Sequence, residues 1–255
     1  MIFRRIKAHI EKENWFAVGI DFFIVVIGVF IGIQVANWNE TRANSAKEKI
    51  ILAAILDDIE DDLQNLNSAF ESAALGTQAT NELLVAAGLQ PLTELKLPVS
   101  NAVLTETDTL ISELPETGTE QIWTAITVRY YPGQADAAFA GLMSAGDLSI
   151  ISDLELANSL QRYRAVWDDT EVSQVSTFRP VRDRLVFVGQ KFGLSPFKEI
   201  RKDELAALIA QNPEFEGAVR TMQEYGIVHW QVLTTLRNDA EALASDLREE
   251  LGVSE

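Results

Sequence analysis

Residues 16–36 read FAVGIDFFIVVIGVFIGIQVA. Within them Asp21 is the single ionisable group and Gln34 the single amide. A helix crosses the hydrocarbon core with about 20 mostly apolar residues, so this stretch reads as a transmembrane helix. Trp15 and Trp38 stand on either side, 23 residues apart. At about 1.5 Å per residue that is roughly 35 Å, a spacing that rests two tryptophans at opposite interfaces. The apolar run is longer than the roughly 7–15-residue core of a cleaved signal peptide. No A-x-A site follows, since the exit reads VANWNE. The segment therefore predicts an uncleaved signal anchor over residues 15–38.

The flanks suggest an orientation. Arg4, Arg5, Lys7 and Lys12 precede Trp15, and Arg42, Lys47 and Lys49 follow Trp38. Positive charge in a short tail stays cytoplasmic, while a long domain translocates largely regardless of its charge. The expected division is a cytoplasmic tail over 1–14, the span over 15–38 and an extracytoplasmic helical domain over 39–255. That places the chain in a bacterial inner membrane as a single-pass protein with a periplasmic domain.

The run IVVIGVFIGIQVANWNE (residues 24–40), after a short basic N-terminus, resembles a family of uncharacterised single-span bacterial membrane proteins. Members carry a similar apolar stretch ending in Q-x-x-N-W-N-E. Residues 139–163 (FAGLMSAGDLSIISDLELANSLQRY) are similar to that family's second recurring patch, a small-residue turn followed by a helix ending in an aromatic. The family is a domain of unknown function, so the resemblance implies a topology and no activity.

Beyond the anchor the hydrophobic period is helical throughout. Leu52, Leu56, Ile59, Leu63, Leu66, Phe70 and Ala73 step by alternating fours and threes, a coiled-coil-like seam. This helix begins near Asn44 or Ser45, or continues straight from the span, and should stop at Gly88-Leu89-Gln90-Pro91. A second long helix is expected from a capping box with Ser152 as N-cap and Glu155 bonding back. Leu156, Leu160, Tyr163, Trp167 and Thr170 mark its face, and Phe178, Val181, Leu185, Val188 and Phe192 extend it. Pro180 predicts a kink or break near Phe178, and Gly193 ends the run. A third opens with Asn212 as N-cap and Pro213 at the first position. Its seam runs from Phe215 through Val219, Met222, Gly226, His229, Leu233, Leu236, Ala240 and Leu243 to Leu247, and Gly252-Val253 closes it. Shorter helices are expected over Val99–Leu114, Ala135–Ala145 and Asp203–Gln211, while Ile122–Tyr131 reads equally as helix or strand. The predicted fold class is all-α: one transmembrane helix followed by a bundle of three long helices with shorter ones between.

Composition narrows the functions. The chain has 255 residues, 38 acidic against 21 basic, and a net charge of −17. That balance argues against nucleic acid, because binding phosphate needs clustered Lys and Arg. With no cysteine there is no disulfide, thiolate zinc site or cysteine nucleophile. The two histidines are His9 and His229, and no G-x-S-x-G, Walker A, G-x-G-x-x-G or H-E-x-x-H motif occurs. No catalytic residue, metal ligand or cofactor is therefore assigned. Asp57, Asp58, Glu60, Asp61 and Asp62 read as a solvated helix face, and His229 as a packed core histidine.

The candidate site lies in the span. Gly28 and Gly32 form G-x-x-x-G, which lets two membrane helices approach closely. Residues seven and eleven after Asp21 fall within about 20° of it, so Asp21, Gly28 and Gly32 share one face. An acid on such a face hydrogen-bonds across a helix contact, or relays an ion as in the single-span stator subunits of ion-driven motors. The expected partners are the lipid bilayer and either a second copy or another membrane protein. The function expected is a non-enzymatic interaction or assembly module, sensing included; the alternative is an auxiliary subunit of an ion-coupled complex using Asp21.

Overall fold

The computed structural model describes residues 15–92, 94–96, 103–105, 120–144, 146 and 148–253. The basic tail over 1–14 lies outside them. The fold is all-α, with one short β-ribbon among the described residues.

Helix α1, Trp15–Ala86, is 72 residues long. It carries the apolar run and the first seam without interruption. Among the described residues it is the one helix long and apolar enough to cross a membrane. It stops where predicted: Gly88 takes φ 73, and the Leu89 N–H donates back to the Leu84 carbonyl at 2.9 Å. Glycine enters this left-handed region with no Cβ penalty.

Strands β1 (Glu94–Lys96) and β2 (Val103–Thr105) pair antiparallel, with Leu95 opposite Leu104. This corrects the helix expected over Val99–Leu114 at residues 103–105, where β-branched Val103 and Thr105 suit a strand. The remainder of that range lies outside the described residues. The ambiguous stretch 122–131 divides: α2 covers Ile122–Thr127, and the chain is extended from Val128. Helix α3 (Ala137–Ser144) forms as expected.

Helix α4 (Leu154–Ser173) is capped by Asp153, not Ser152. The Asp153 carboxylate accepts from the Glu155 and Leu156 amides at 2.7 and 3.1 Å. A carboxylate at that position satisfies two orphan amides and also complements the positive helix end. A π-helical turn, Gln174–Phe178, then leads directly into α5 (Arg179–Gln190). Pro180 thus causes a widened turn and no break, because the extra residue absorbs the missing amide donor. Helix α6 spans Lys202–Gln211 and α7 spans Pro213–Leu251. Asn212 stands at the N-cap of α7, but its Nδ2 donates to the Leu208 carbonyl at 2.7 Å and leaves α7 without a side-chain cap bond. Gly193 and Gly252 end their helices at φ 73 and 68.

The chain divides into two compact units between Ile50 and Ile51. The second holds two separate apolar clusters. One joins the α1 seam from Leu52 to Ala74 with α3, α4 and α7 from Trp230 to Leu247. The other joins Ala79–Leu84 of α1 with α2, α5, α6 and α7 from Phe215 to Met222. Every seam position predicted on α7 is buried.

Candidate functional site

Membership of the two apolar clusters is interrupted on all three long helical runs. On α1 it stops at Ala74 and resumes at Ala79, leaving Gly76, Thr77 and Gln78 between. From α4 to α5 it stops at Trp167 and resumes at Leu185; the π-turn lies in the gap and holds buried Phe178 outside both clusters. On α7 it stops at Met222 and resumes at Trp230, leaving Gln223, Gly226 and His229, with buried Ile227 outside both clusters. Contacts among these residues gather the interruptions into one polar belt between the clusters.

Arg129 fills the belt. It sits on the extended stretch after α2, where alternate residues face opposite ways, so Arg129 is buried while Tyr130 is exposed. Tyr130 fixes the stretch to α1: its N–H donates to Ser72 Oγ and its hydroxyl to Asn65 Oδ1, both at 3.1 Å. The guanidinium lies in a slot that two glycines create. A Cβ on Gly76 would stand 2.7 Å from Arg129 Cζ, and one on Gly226 3.3 Å from Arg129 Nη2. Glycine costs a helix interior roughly 0.5–1 kcal/mol relative to alanine. Here it is used for space, not for an unusual φ.

Arg129 Nη1 donates to the Ala73 carbonyl at 2.9 Å. Its Nε and Nη2 have no acceptor, and no carboxylate pairs with it among the described residues. Burial pulls its pKa down to about 10, so it remains charged at neutral pH. Beside it, the His229 ring packs against Phe178 at a tilt of 40°, with centroids 4.5 Å apart, and approaches Tyr131 at 5.4 Å. His229 is the packed core residue that its seam position predicts. Its Nε2 also lacks a partner, and burial, with the Arg129 charge, lowers its pKa to about 3. Arg129, Tyr131, Phe178, Tyr225, Gly226 and His229 border a chamber of about 10 Å³. The buried polar groups at this chamber are nitrogen donors, so it is suited to an acceptor and not to a metal cation.

A second buried charge belongs to the acidic run on α1: Asp57 and Asp61 are exposed as expected, but the solvated-face reading is corrected for Asp62. Asp62 is fully buried. It accepts from the Ala135 N–H at 2.6 Å and from the Tyr163 hydroxyl at 2.9 Å. Asp58 accepts from the Ala138 N–H at 2.8 Å, and Glu60 pairs with Arg248 at 2.8 Å. Burial raises the Asp62 pKa to about 6. The run brackets the chain entering α3. Sequence spacing could not show this, because Ala135 and Tyr163 lie 73 and 101 residues away.

The candidate residues of the anchor all lie on α1. Asp21, Gly28 and Gly32 share its face by helical spacing, and Trp15 is its first residue. Space is open over Gly28 and Gly32, with nothing within 4 Å of an added Cβ. Trp38 is exposed, with the Arg42 guanidinium 5.8 Å from its ring centroid. Arg129 escaped sequence reading; the one hint was a glycine and a histidine, Gly226 and His229, inside an otherwise apolar seam.

No curated protein matches the chain, and no solved structure matches it. Residues 21–86, from Asp21 to the last residue of α1, match DUF6090, a family of unknown function, which supports an uncharacterised domain family over that helix.

Proposed function

We propose that this protein is a membrane-anchored helical module for interaction or assembly, working by binding and without catalysis. The observation that carries this reading is the surface of the anchor. From Phe22 to Val35 its large apolar side chains are 47–66 % exposed on every side of the helix. Such a surface is stable only against lipid or another apolar helix. The face of Asp21, Gly28 and Gly32 is the one shaped for a helix, because two glycines let backbones meet and the acid hydrogen-bonds across the contact. The partner is a second copy of α1, and capture of a different membrane protein is the other outcome to look for. The basic tail favours a cytoplasmic position for residues 1–14 and a periplasmic one for the bundle in a bacterial cell.

The test is blue-native electrophoresis of the detergent-solubilised full chain. Gly28→Ile with Gly32→Ile should reduce the assembly to a smaller species, and unchanged size would end this reading. Asp21 supports a second reading, an auxiliary subunit of an ion-coupled complex, since it is the one ionisable group in the apolar run. Asp21→Asn keeps shape and hydrogen bonding but holds no titrating proton. Loss of function with an intact complex favours ion coupling, and tolerance favours assembly alone.

A further inference from the structure

We infer that the Arg129 chamber binds one small monovalent anion of halide size, chloride being the abundant member of that class. This is independent of how the anchor assembles. A buried guanidinium needs a counter-charge, because desolvation outweighs what a single neutral carbonyl returns. Arg129 has that one carbonyl, from Ala73, and no carboxylate among the described residues. Two donors border the chamber without acceptors: Arg129 Nη2, set against Gly226, and His229 Nε2. Neutral His229 in its Nε2–H tautomer points a second N–H at the same occupant.

The electrostatics favour an anion although the whole chain carries −17. The charges acting on Tyr131, at the chamber wall, are Arg129, Arg179, Arg182 and Asp183. The Arg179 guanidinium lies 5.3 Å from the Tyr131 ring centroid, and Asp183 is already paired with Arg182 at 2.8 Å. At Tyr131 three arginines therefore outweigh one carboxylate, itself paired with Arg182. Size orders the anions: about 10 Å³ is the space of one water, so a halide, slightly larger, needs its side-chain walls to give a little, and a carboxylate or a phosphate needs far more. A water of that size would satisfy the donors but leave the Arg129 charge unopposed. Aromatic walls, Phe178 on His229 and Tyr131 nearby, keep the site partly dry and strengthen the pairing.

The experiment uses the full chain in detergent at constant ionic strength, with chloride exchanged for gluconate. Chloride-35 NMR should show excess line broadening that added bromide removes. Chloride at tenfold its Kd should raise the Tm by roughly 3–6 °C over gluconate. Arg129→Met should abolish both responses. His229→Phe keeps the ring contact with Phe178 and removes one donor, so it should weaken chloride binding about 10-fold or more. Broadening that persists in Arg129→Met places the anion elsewhere and overturns the assignment. Equal Tm and no displaceable broadening in the unaltered chain mean the chamber holds water only, which also overturns it. A response to acetate equal to that of chloride would refute the size argument. These readings come from the unaltered chain first, so a variant that fails to fold leaves the test intact.

Discussion

Asp62 and Arg129 bring opposite charges into the same bundle and are treated in opposite ways. The Asp62 carboxylate meets two donors from the chain, an amide and a tyrosine hydroxyl. The Arg129 guanidinium meets one carbonyl and leaves two nitrogens without acceptors. Both are desolvated, so the difference lies in the partners supplied. A buried charge whose hydrogen bonds are complete is a structural clamp. One whose bonds are incomplete is an opening for something else.

The sharpest way to break the contrast is to remove each charge. Asp62→Ala leaves the Ala135 amide and the Tyr163 hydroxyl buried and unpaired, at a cost of about 3 kcal/mol. Tm should fall by roughly 6–12 °C in thermal unfolding followed by circular dichroism. Arg129→Met in gluconate should be close to neutral, since an apolar chain of similar length replaces an unpaired charge. An equal loss in both variants would erase the distinction.

The glycine slot gives the next largest effect. Gly76→Ala meets Arg129 Cζ at 2.7 Å and the Ala125 carbonyl at 2.9 Å, and the latter is backbone that cannot swing away. We expect a loss of about 2–3 kcal/mol from overpacking. Gly226→Ala meets Thr77 Oγ1 at 2.9 Å and Arg129 Nη2 at 3.3 Å, both side-chain ends. It should cost less, about 1 kcal/mol, and combining it with Arg129→Met should recover part of that. Denaturant midpoints measure both.

The two sites should also pull the pH profile in opposite directions. With a folded pKa near 6, Asp62 keeps its proton after the unfolded chain has lost it, so stability falls as pH rises from about 4 to 6. With a folded pKa near 3, His229 stays neutral while the unfolded chain gains a proton below about 6.5, so stability falls as pH drops from there. For Asp62 the effect is about 1–2 kcal/mol once solvent screening is allowed for. Asp62→Asn should remove the first slope and His229→Gln the second, read as Tm between pH 4 and 7.

The smallest effect separates clamps from surface pairs. Glu60 and Arg248 are 2.8 Å apart but partly exposed. Glu60→Gln should cost under about 0.5 kcal/mol, although Glu60 lies in the same acidic run as Asp62.

Long elements were legible in the sequence because each seam repeats one period over many residues. The α7 seam is buried throughout, and the stop signals at Gly88, Gly193 and Gly252 are all left-handed. Local choices were less legible. The capping-box spacing pointed to Ser152, and the cap is Asp153, a shift of one residue that only backbone placement decided. Pro180 announced a disturbance without saying that a π-turn would absorb it.

The sequence by itself determined the apolar anchor, the helical class and the faces that pack, since periodicity and composition are properties of neighbours along the chain. Tertiary structure alone decided which polar residues go inside and whom they meet. Asp62 finds Tyr163 across 101 residues, and Arg129 finds Ala73 across 56. Those partners are set by the register in which α1, α4 and α7 pack. A one-turn slip would keep every seam apolar and yet part Arg129 from both of its glycines.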